Sequence, residues 1–264
     1  MKHHHPVWKF TMVELLVIIA VIAILAGMLL PTLNNARNRV KSMSCMNHLK
    51  QLGTNVFMYS NDSREWILPS RLYTHETGGG GTLSWGEGIW FRTLARYAGQ
   101  KSLDWSYRST VAKVYLCPNE KLPVYKSSDS TSKMAYTHYS VNTLLGGDTS
   151  LGTQPPYHYK KLNCLLSPSE AFYLVDQYSE TYSMIHVRYM GWRHHSGELR
   201  EFKPEPVDFA GTPRKINLQF MDGHVASAGF QDFKKRTCPN QYYPAIGNIQ
   251  SYPRNMYTGF DPCK

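Results

Sequence analysis

Two hydrophobic patterns follow one another at the start of the chain. Residues 10–31 read FTMVELLVIIAVIAILAGMLLP, and from Leu15 to Leu30 there is no charged residue and one glycine, Gly27. A helix built from this stretch is apolar on every side and approaches the roughly 20 residues that a bilayer core requires. Its one acid, Glu14, stands near the start. A carboxylate inside such a span is costly, less so toward the end, so Glu14 calls for a partner or a place at the interface. Beyond Pro31 the pattern changes. Leu33, Ala36, Val40, Met43, Met46, Leu49, Leu52, Val56 and Tyr59 recur in steps of three and four, with Asn35, Arg37, Arg39, Lys41 and Lys50 between them. That spacing predicts an amphipathic helix facing a core. One helix over residues 10–60 is therefore expected, with residues 10–31 as anchor and 32–61 as core element. Pro31 lacks the backbone N–H that a helix interior uses and marks a hinge where the helix bends or melts. Asn61-Asp62 reads as the stop.

Downstream, residues 62–264 read as one globular region of short strands among long loops. A short helix is predicted over residues 89–98 (IWFRTLARYA), ended by Gly99. Strands rich in β-branched and aromatic residues are predicted over 111–116, 135–141, 171–177, 182–189 and 216–221. Asp222-Gly223 between two alternating runs, INLQFM and HVASA, predicts an antiparallel hairpin whose tight turn needs positive φ. Gly- and Pro-bearing loops occupy 78–81, 146–156 and 196–213, and the Pro-, Asn- and Tyr-rich tail 238–264 carries no period. No internal repeat is present.

Charge changes the picture little. With 29 Lys and Arg against 19 Asp and Glu the formal charge is +10, and 13% of the residues are aromatic. Such a balance invites acidic partners, but the basic residues are scattered, so nucleic acid is not an expected partner. The run Arg37-Asn38-Arg39-Val40-Lys41 follows the apolar span and suits lipid headgroups. Lys and Arg flank the span on both sides, so charge alone does not orient it. A secretory signal peptide would end after about 7–15 apolar residues at a small-residue cleavage site. Here the run is longer and continues as MLLPTLNNARNRVK.

The segment Phe10-Thr11-Met12-Val13-Glu14-Leu15-Leu16, the apolar run behind it and Pro31 resemble the N-terminal cleavage and methylation segment of type IV prepilins and type II secretion pseudopilins. The resemblance implies that a basic leader, residues 1–9, is removed before Phe10, whose new amino group is methylated, and that Glu14 meets a neighbour's N-terminus during assembly. Lys9 stands where that family usually has glycine. Further pieces are similar to prepilin-type proteins bearing an H-X9-DG region: SCMNHLKQLGTNVFMYSND, LCPNE, THYSVN, LLSPSEAFYLVD, RHH at Arg193 to His195, and LQFMDGHV with Asp222-Gly223. Residues 196–221 separate His195 from Asp222 where that region has nine, and 196–213 looks like an inserted loop. The implied fold is α+β and pilin-like, a long N-terminal helix packed on an antiparallel sheet with long loops. The implied place is the inner membrane, single-pass, with the globular domain extracytoplasmic. The implied partners are other pilin or pseudopilin subunits, a prepilin peptidase and methyltransferase, and inner-membrane lipid. A plain anchor, with Glu14 favoured by the helix dipole, accounts for the apolar run but not for the FTxxE pattern. It would suit a tethered extracytoplasmic module for acidic glycan or nucleic acid.

His194, His195, Asp222 and His224 are residue types of a metal or acid–base site, and Asp176 is a candidate to join them. Yet the chain has no HExxH, CxxC, GxSxG or P-loop motif. Neighbouring histidines on a strand face opposite ways, so at most one of His194 and His195 serves a given site. A structural role is the leading expectation, a divalent-metal site the second and catalysis the third. Some pseudopilins hold calcium through loop oxygens, but no EF-hand-like ligand run stands here. Five cysteines leave at least one unpaired. An extracytoplasmic domain permits disulfides; Cys238–Cys263, closing the tail, is the preferred pair, and for Cys45, Cys117 and Cys164 buried free thiols are the default expectation, with Cys45–Cys117 the next candidate pair.

Overall fold

The computed structural model describes residues 11–71, 89–99, 113–120, 124–125, 134–135, 137–147, 159–165, 167–177, 183–184, 190–194 and 215–229. Helix α1 (Met12–Asp62) runs unbroken through Pro31. The hinge expected there takes no melted form; Pro31 simply leaves the Gly27 carbonyl without its helical donor. Two units divide between Val40 and Lys41, so the globular unit includes the end of α1 rather than starting after it. In the first unit the side chains from Met12 to Leu30 are exposed throughout. Helix α1 is long and apolar enough to cross a membrane, and its most apolar stretch is not buried. This is a candidate membrane span.

In the second unit α1 buries Cys45, Leu49, Leu52, Gly53, Val56 and Tyr59, again steps of three, four and one. The predicted apolar stripe is thus present, but Leu33, Val40 and Met43 are exposed; only from Cys45 onward does the stripe meet the core. After Asp62 the chain reverses through Arg64 and Glu65 at φ 54° and 68°. The Ser63 and Glu65 N–H groups donate to the Tyr59 and Ser60 carbonyls at 2.8 Å, satisfying acceptors that the helix end leaves over. Helix α2 (Trp90–Tyr97) ends at Ala98, with Gly99 at φ 68°, as its sequence predicts.

A five-stranded sheet carries the fold. Its order is β5 (Ser183–Met184), β3 (Tyr139–Asn142), β4 (Phe172–Asp176), β6 (Lys215–Phe220), β7 (Val225–Gly229). All neighbours are antiparallel except β5, which joins β3 in parallel. The architecture is therefore α+β with a mainly antiparallel sheet. Strands β3 and β4 are buried along their whole length; β4 (FYLVD) accordingly reads as a nearly continuous apolar run, whereas β3 (YSVN) alternates and buries the polar Ser140 and Asn142. Leu49, Leu52 and Val56 of α1, Trp90 and Leu94 of α2, and Tyr139, Val141, Tyr173 and Leu174 of the sheet form one core cluster. A Cβ on Gly53 would lie 2.8 Å from the Gln219 side chain, so α1 approaches β6 closely enough that a larger residue there would displace Gln219.

Three expectations change. Residues 111–116 are not a strand in their described part: Lys113–Tyr115 is a 3-10 turn. Tyr115 is buried there with its hydroxyl donating to the Phe91 carbonyl at 3.0 Å, and this tertiary anchor overrides the β propensity of Val-Tyr. The run 135–141 is interrupted. Met134–Ala135 (β2) pairs in parallel with Val124–Tyr125 (β1), while Thr137, whose hydroxyl donates to the Tyr115 carbonyl at 3.2 Å, separates it from β3. Of 182–189, only β5 is described.

The hairpin stands, but with another turn. The Gly223 N–H donates to the Phe220 carbonyl and the Phe220 N–H to the His224 carbonyl, each at 2.9 Å. Gly223 alone has positive φ, 89°. This is a three-residue loop in which Gly223 forms a bulge after the turn, not a two-residue turn with both centres left-handed.

Candidate functional site

The strongest polar cluster lies in the core. Cys45, on the buried face of α1, is disulfide-bonded to Cys117, with Cα atoms 5.2 Å apart. Closing a loop with a sequence separation of 72 stabilises the fold by about 4 kcal/mol in the chain-entropy description. Cys117 is fixed twice more: its N–H donates to His138 Nδ1 at 3.0 Å, and His194 Nε2 lies 3.9 Å from its sulfur. His194 enters through an isolated bridge with Lys215 at the start of β6. Asp176, the last residue of β4, meets His194 Nε2 at 2.9 Å through Oδ2, which also accepts the Asn217 N–H at 3.0 Å. The ends of two neighbouring strands and one loop therefore converge on the disulfide.

Burial pushes the Asp176 carboxyl up, but His194, Arg193 and the Asn217 N–H together hold it below the ordinary carboxylate range. Arg193 pairs with Glu120 at 3.1 Å. Burial, with Asp176 nearby, raises the Tyr139 hydroxyl well above its usual range. At the edge of the cluster His48 Nδ1 donates to the Leu116 carbonyl at 3.1 Å; burial, more than that bond, sets its pKa below the ordinary imidazole value.

The hairpin tip is a second, separate pair. Asp222 Oδ1 accepts the His224 N–H at 3.0 Å and lies 2.5 Å from its Nδ1. The imidazole stacks on Phe220 with centroids 4.2 Å apart. Both side chains are exposed. The tip is tied to α1 by Lys50 Nζ, which donates to the Gly223 carbonyl at 2.6 Å. Among the described residues, the group of three His, Cys, Asp or Glu donors close enough to share a metal is Cys45, Cys117 and His194. Among the described residues, Asp222 and His224 belong to no such group.

At the other end, Thr11 and Glu14 cap α1. The Thr11 N–H and hydroxyl both donate to Glu14 Oε2 at 2.8 Å, and the Glu14 N–H donates to Thr11 Oγ1 at 3.2 Å. This is a reciprocal capping box. Within one chain, then, the acid expected to need a partner has Thr11. Lys9 and Phe10 lie outside the described residues, as do His195 and the Cys238–Cys263 pair. Among the described residues Cys45 and Cys117, by default expected as buried free thiols, are disulfide-bonded because α1 packs Cys45 beside Cys117, and Cys164 is a free thiol that is exposed rather than buried. His194, the neighbour of the histidine that the resemblance assigns to the H–DG region, is the buried partner of Asp176. No protein-family model, curated protein or solved structure matches the chain.

Proposed function

We propose that this chain is a membrane-anchored, pilin-like structural subunit that assembles with other such subunits through the apolar part of α1. The observation carrying this reading is the single helix that is apolar and wholly exposed from Met12 to Leu30 and forms core from Cys45 to Tyr59. An exposed apolar surface of that extent needs lipid or protein around it. The same helix contributes its later turns, from Cys45 to Tyr59, to the folded core. Leader removal before Phe10, methylation of its amine and pairing of Glu14 with a neighbour's N-terminus follow from the resemblance of FTMVELL to prepilin segments, and would place the domain outside the inner membrane. The work is then mechanical rather than catalytic.

Mass spectrometry of the chain purified from membranes tests the first step. A mature protein starting at methylated Phe10 supports assembly, while one still starting at Met1 supports the plain anchor. Electron microscopy of native material tests the second, since a tethered binding module forms no fibre.

A further inference from the structure

We propose that Cys45 and Cys117 form a two-state centre: a disulfide when oxidised, and, after reduction by a dithiol, a binding site for one thiophilic divalent metal of the zinc class, completed by His194 and Asp176. The donor atoms of Cys45, Cys117 and His194 lie within 4.8 Å of one another and all three residues are buried. A tetrahedral zinc with sulfur, nitrogen and oxygen ligands has ligand-to-ligand edges of roughly 3.3–3.8 Å. The observed edges, 3.9 Å from Cys117 Sγ to His194 Nε2 and 2.9 Å from Nε2 to Asp176 Oδ2, bracket that range, and reduction frees the two bonded sulfurs to separate to a ligand edge.

A second observation points to a ligand. Asp176 is fully buried, yet its Oδ1 has no hydrogen-bond partner, nor has His194 Nδ1. A carboxylate buried with half its acceptor capacity unused is costly, and a cation beside it would use that capacity. The donor set is soft and therefore selects zinc-like ions over calcium or magnesium.

The chemistry balances in two steps. A dithiol reductant gives two electrons and two protons to the disulfide, leaving two Cys thiols and an oxidised reductant. Metal binding then releases both thiol protons, and the neutral imidazole offers Nε2, its proton residing on Nδ1. Either state cross-links α1 to the segment before β3, so the fold keeps this tie in oxidising and reducing surroundings alike.

The test uses the full chain in detergent, reduced with a dithiol and desalted without air. Cobalt(II) should bind at a single equivalent, with sulfur-to-metal charge transfer and the visible bands of tetrahedral cobalt, and zinc should bleach them. The oxidised chain should show neither, and His194→Ala should lose or redistribute the visible bands. Because that variant can fail to fold, the wild-type chain supplies a second measurement: zinc should protect Cys45 and Cys117, but not Cys164, from alkylation mapped peptide by peptide. Absence of the thiolate band in the reduced chain, unchanged bands in folded His194→Ala, or equal alkylation of Cys45 and Cys117 with and without zinc would each overturn the proposal.

Discussion

The Asp176 carboxylate and the His194 imidazole meet at 2.9 Å with both side chains closed off from solvent. Each comes from the edge of a different element, Asp176 from the end of β4 and His194 from the loop bridged to Lys215 of β6. The same carboxylate oxygen accepts the Asn217 N–H, so one acid sets the register at which β4, β6 and the loop come together. A buried pair of this kind owes its importance less to net attraction than to the penalty of leaving one member alone.

Removing the charge at position 176 should therefore be expensive. Asp176→Asn should lower stability by about 3 kcal/mol or more, read as the midpoint of chemical denaturation followed by tryptophan fluorescence. Since the folded carboxyl titrates below its unfolded value, its contribution is complete above the unfolded carboxylate pKa of about 3.9 and is lost as the pH falls through the lower folded value. An unchanged denaturation midpoint in Asp176→Asn would show that the pair is incidental.

Gly223 offers a test of the turn. At φ 89° a β-branched side chain is strained, whereas asparagine tolerates the left-handed region better. Gly223→Val should lose about 1–2 kcal/mol and Gly223→Asn distinctly less. Space does not decide the matter, because a Cβ there would meet Phe57 at an ordinary 3.4 Å. Equal melting of Gly223→Val and wild type would remove the bulge assignment.

What was legible in the sequence follows from how local each signal is. The helix stop at Asp62, Gly99 after α2, and the β6–β7 hairpin are set by neighbouring residues, and all three appear. Strand β4 announced itself as a short apolar run because both faces are covered. The pairings that depend on distant residues were not legible: nothing within residues 111–116 says that Tyr115 will anchor on Phe91 and turn the segment into 3-10 helix. The disulfide is the same case. Closure of the tail ranked first Cys238–Cys263, which lies outside the described residues, while the pairing of Cys45 with Cys117 depends on where α1 packs in the core. Within the cluster, Asp176 was legible as a candidate and His194 as one of two, while their contact with the disulfide was not.

His48 should make the fold sensitive to mild acid. Its folded pKa lies below the unfolded one because burial opposes the charge, so between about 6.5 and the lower folded value the unfolded chain binds more protons. Stability is then full above that window and falls as the pH drops through it. His48→Gln should flatten this dependence while leaving stability at neutral pH within about 1 kcal/mol, the worth of the bond to Leu116. Denaturation midpoints measured across the window would give the same slope for both proteins if another group were responsible.

The two roles open to Glu14, capping its own helix and meeting a neighbouring subunit, separate by substitution. Glutamine can replace glutamate as the third residue of a capping box, because it still offers an oxygen to the Thr11 N–H. Glu14→Gln thus keeps the cap and removes only the charge. Thr11→Ala does the reverse: it takes away the hydroxyl bonded to the Glu14 N–H and Oε2, at a cost of about 1 kcal/mol for a lost N-cap, and leaves the carboxylate in place. If the charge serves assembly, Glu14→Gln should enter membranes as the wild type does yet disappear from sheared filaments, while Thr11→Ala should still be incorporated. Fractionation of membranes and filaments, probed for each variant, reads this out. Normal incorporation of Glu14→Gln would confine the acid to its cap and shift the work of assembly to the apolar face alone.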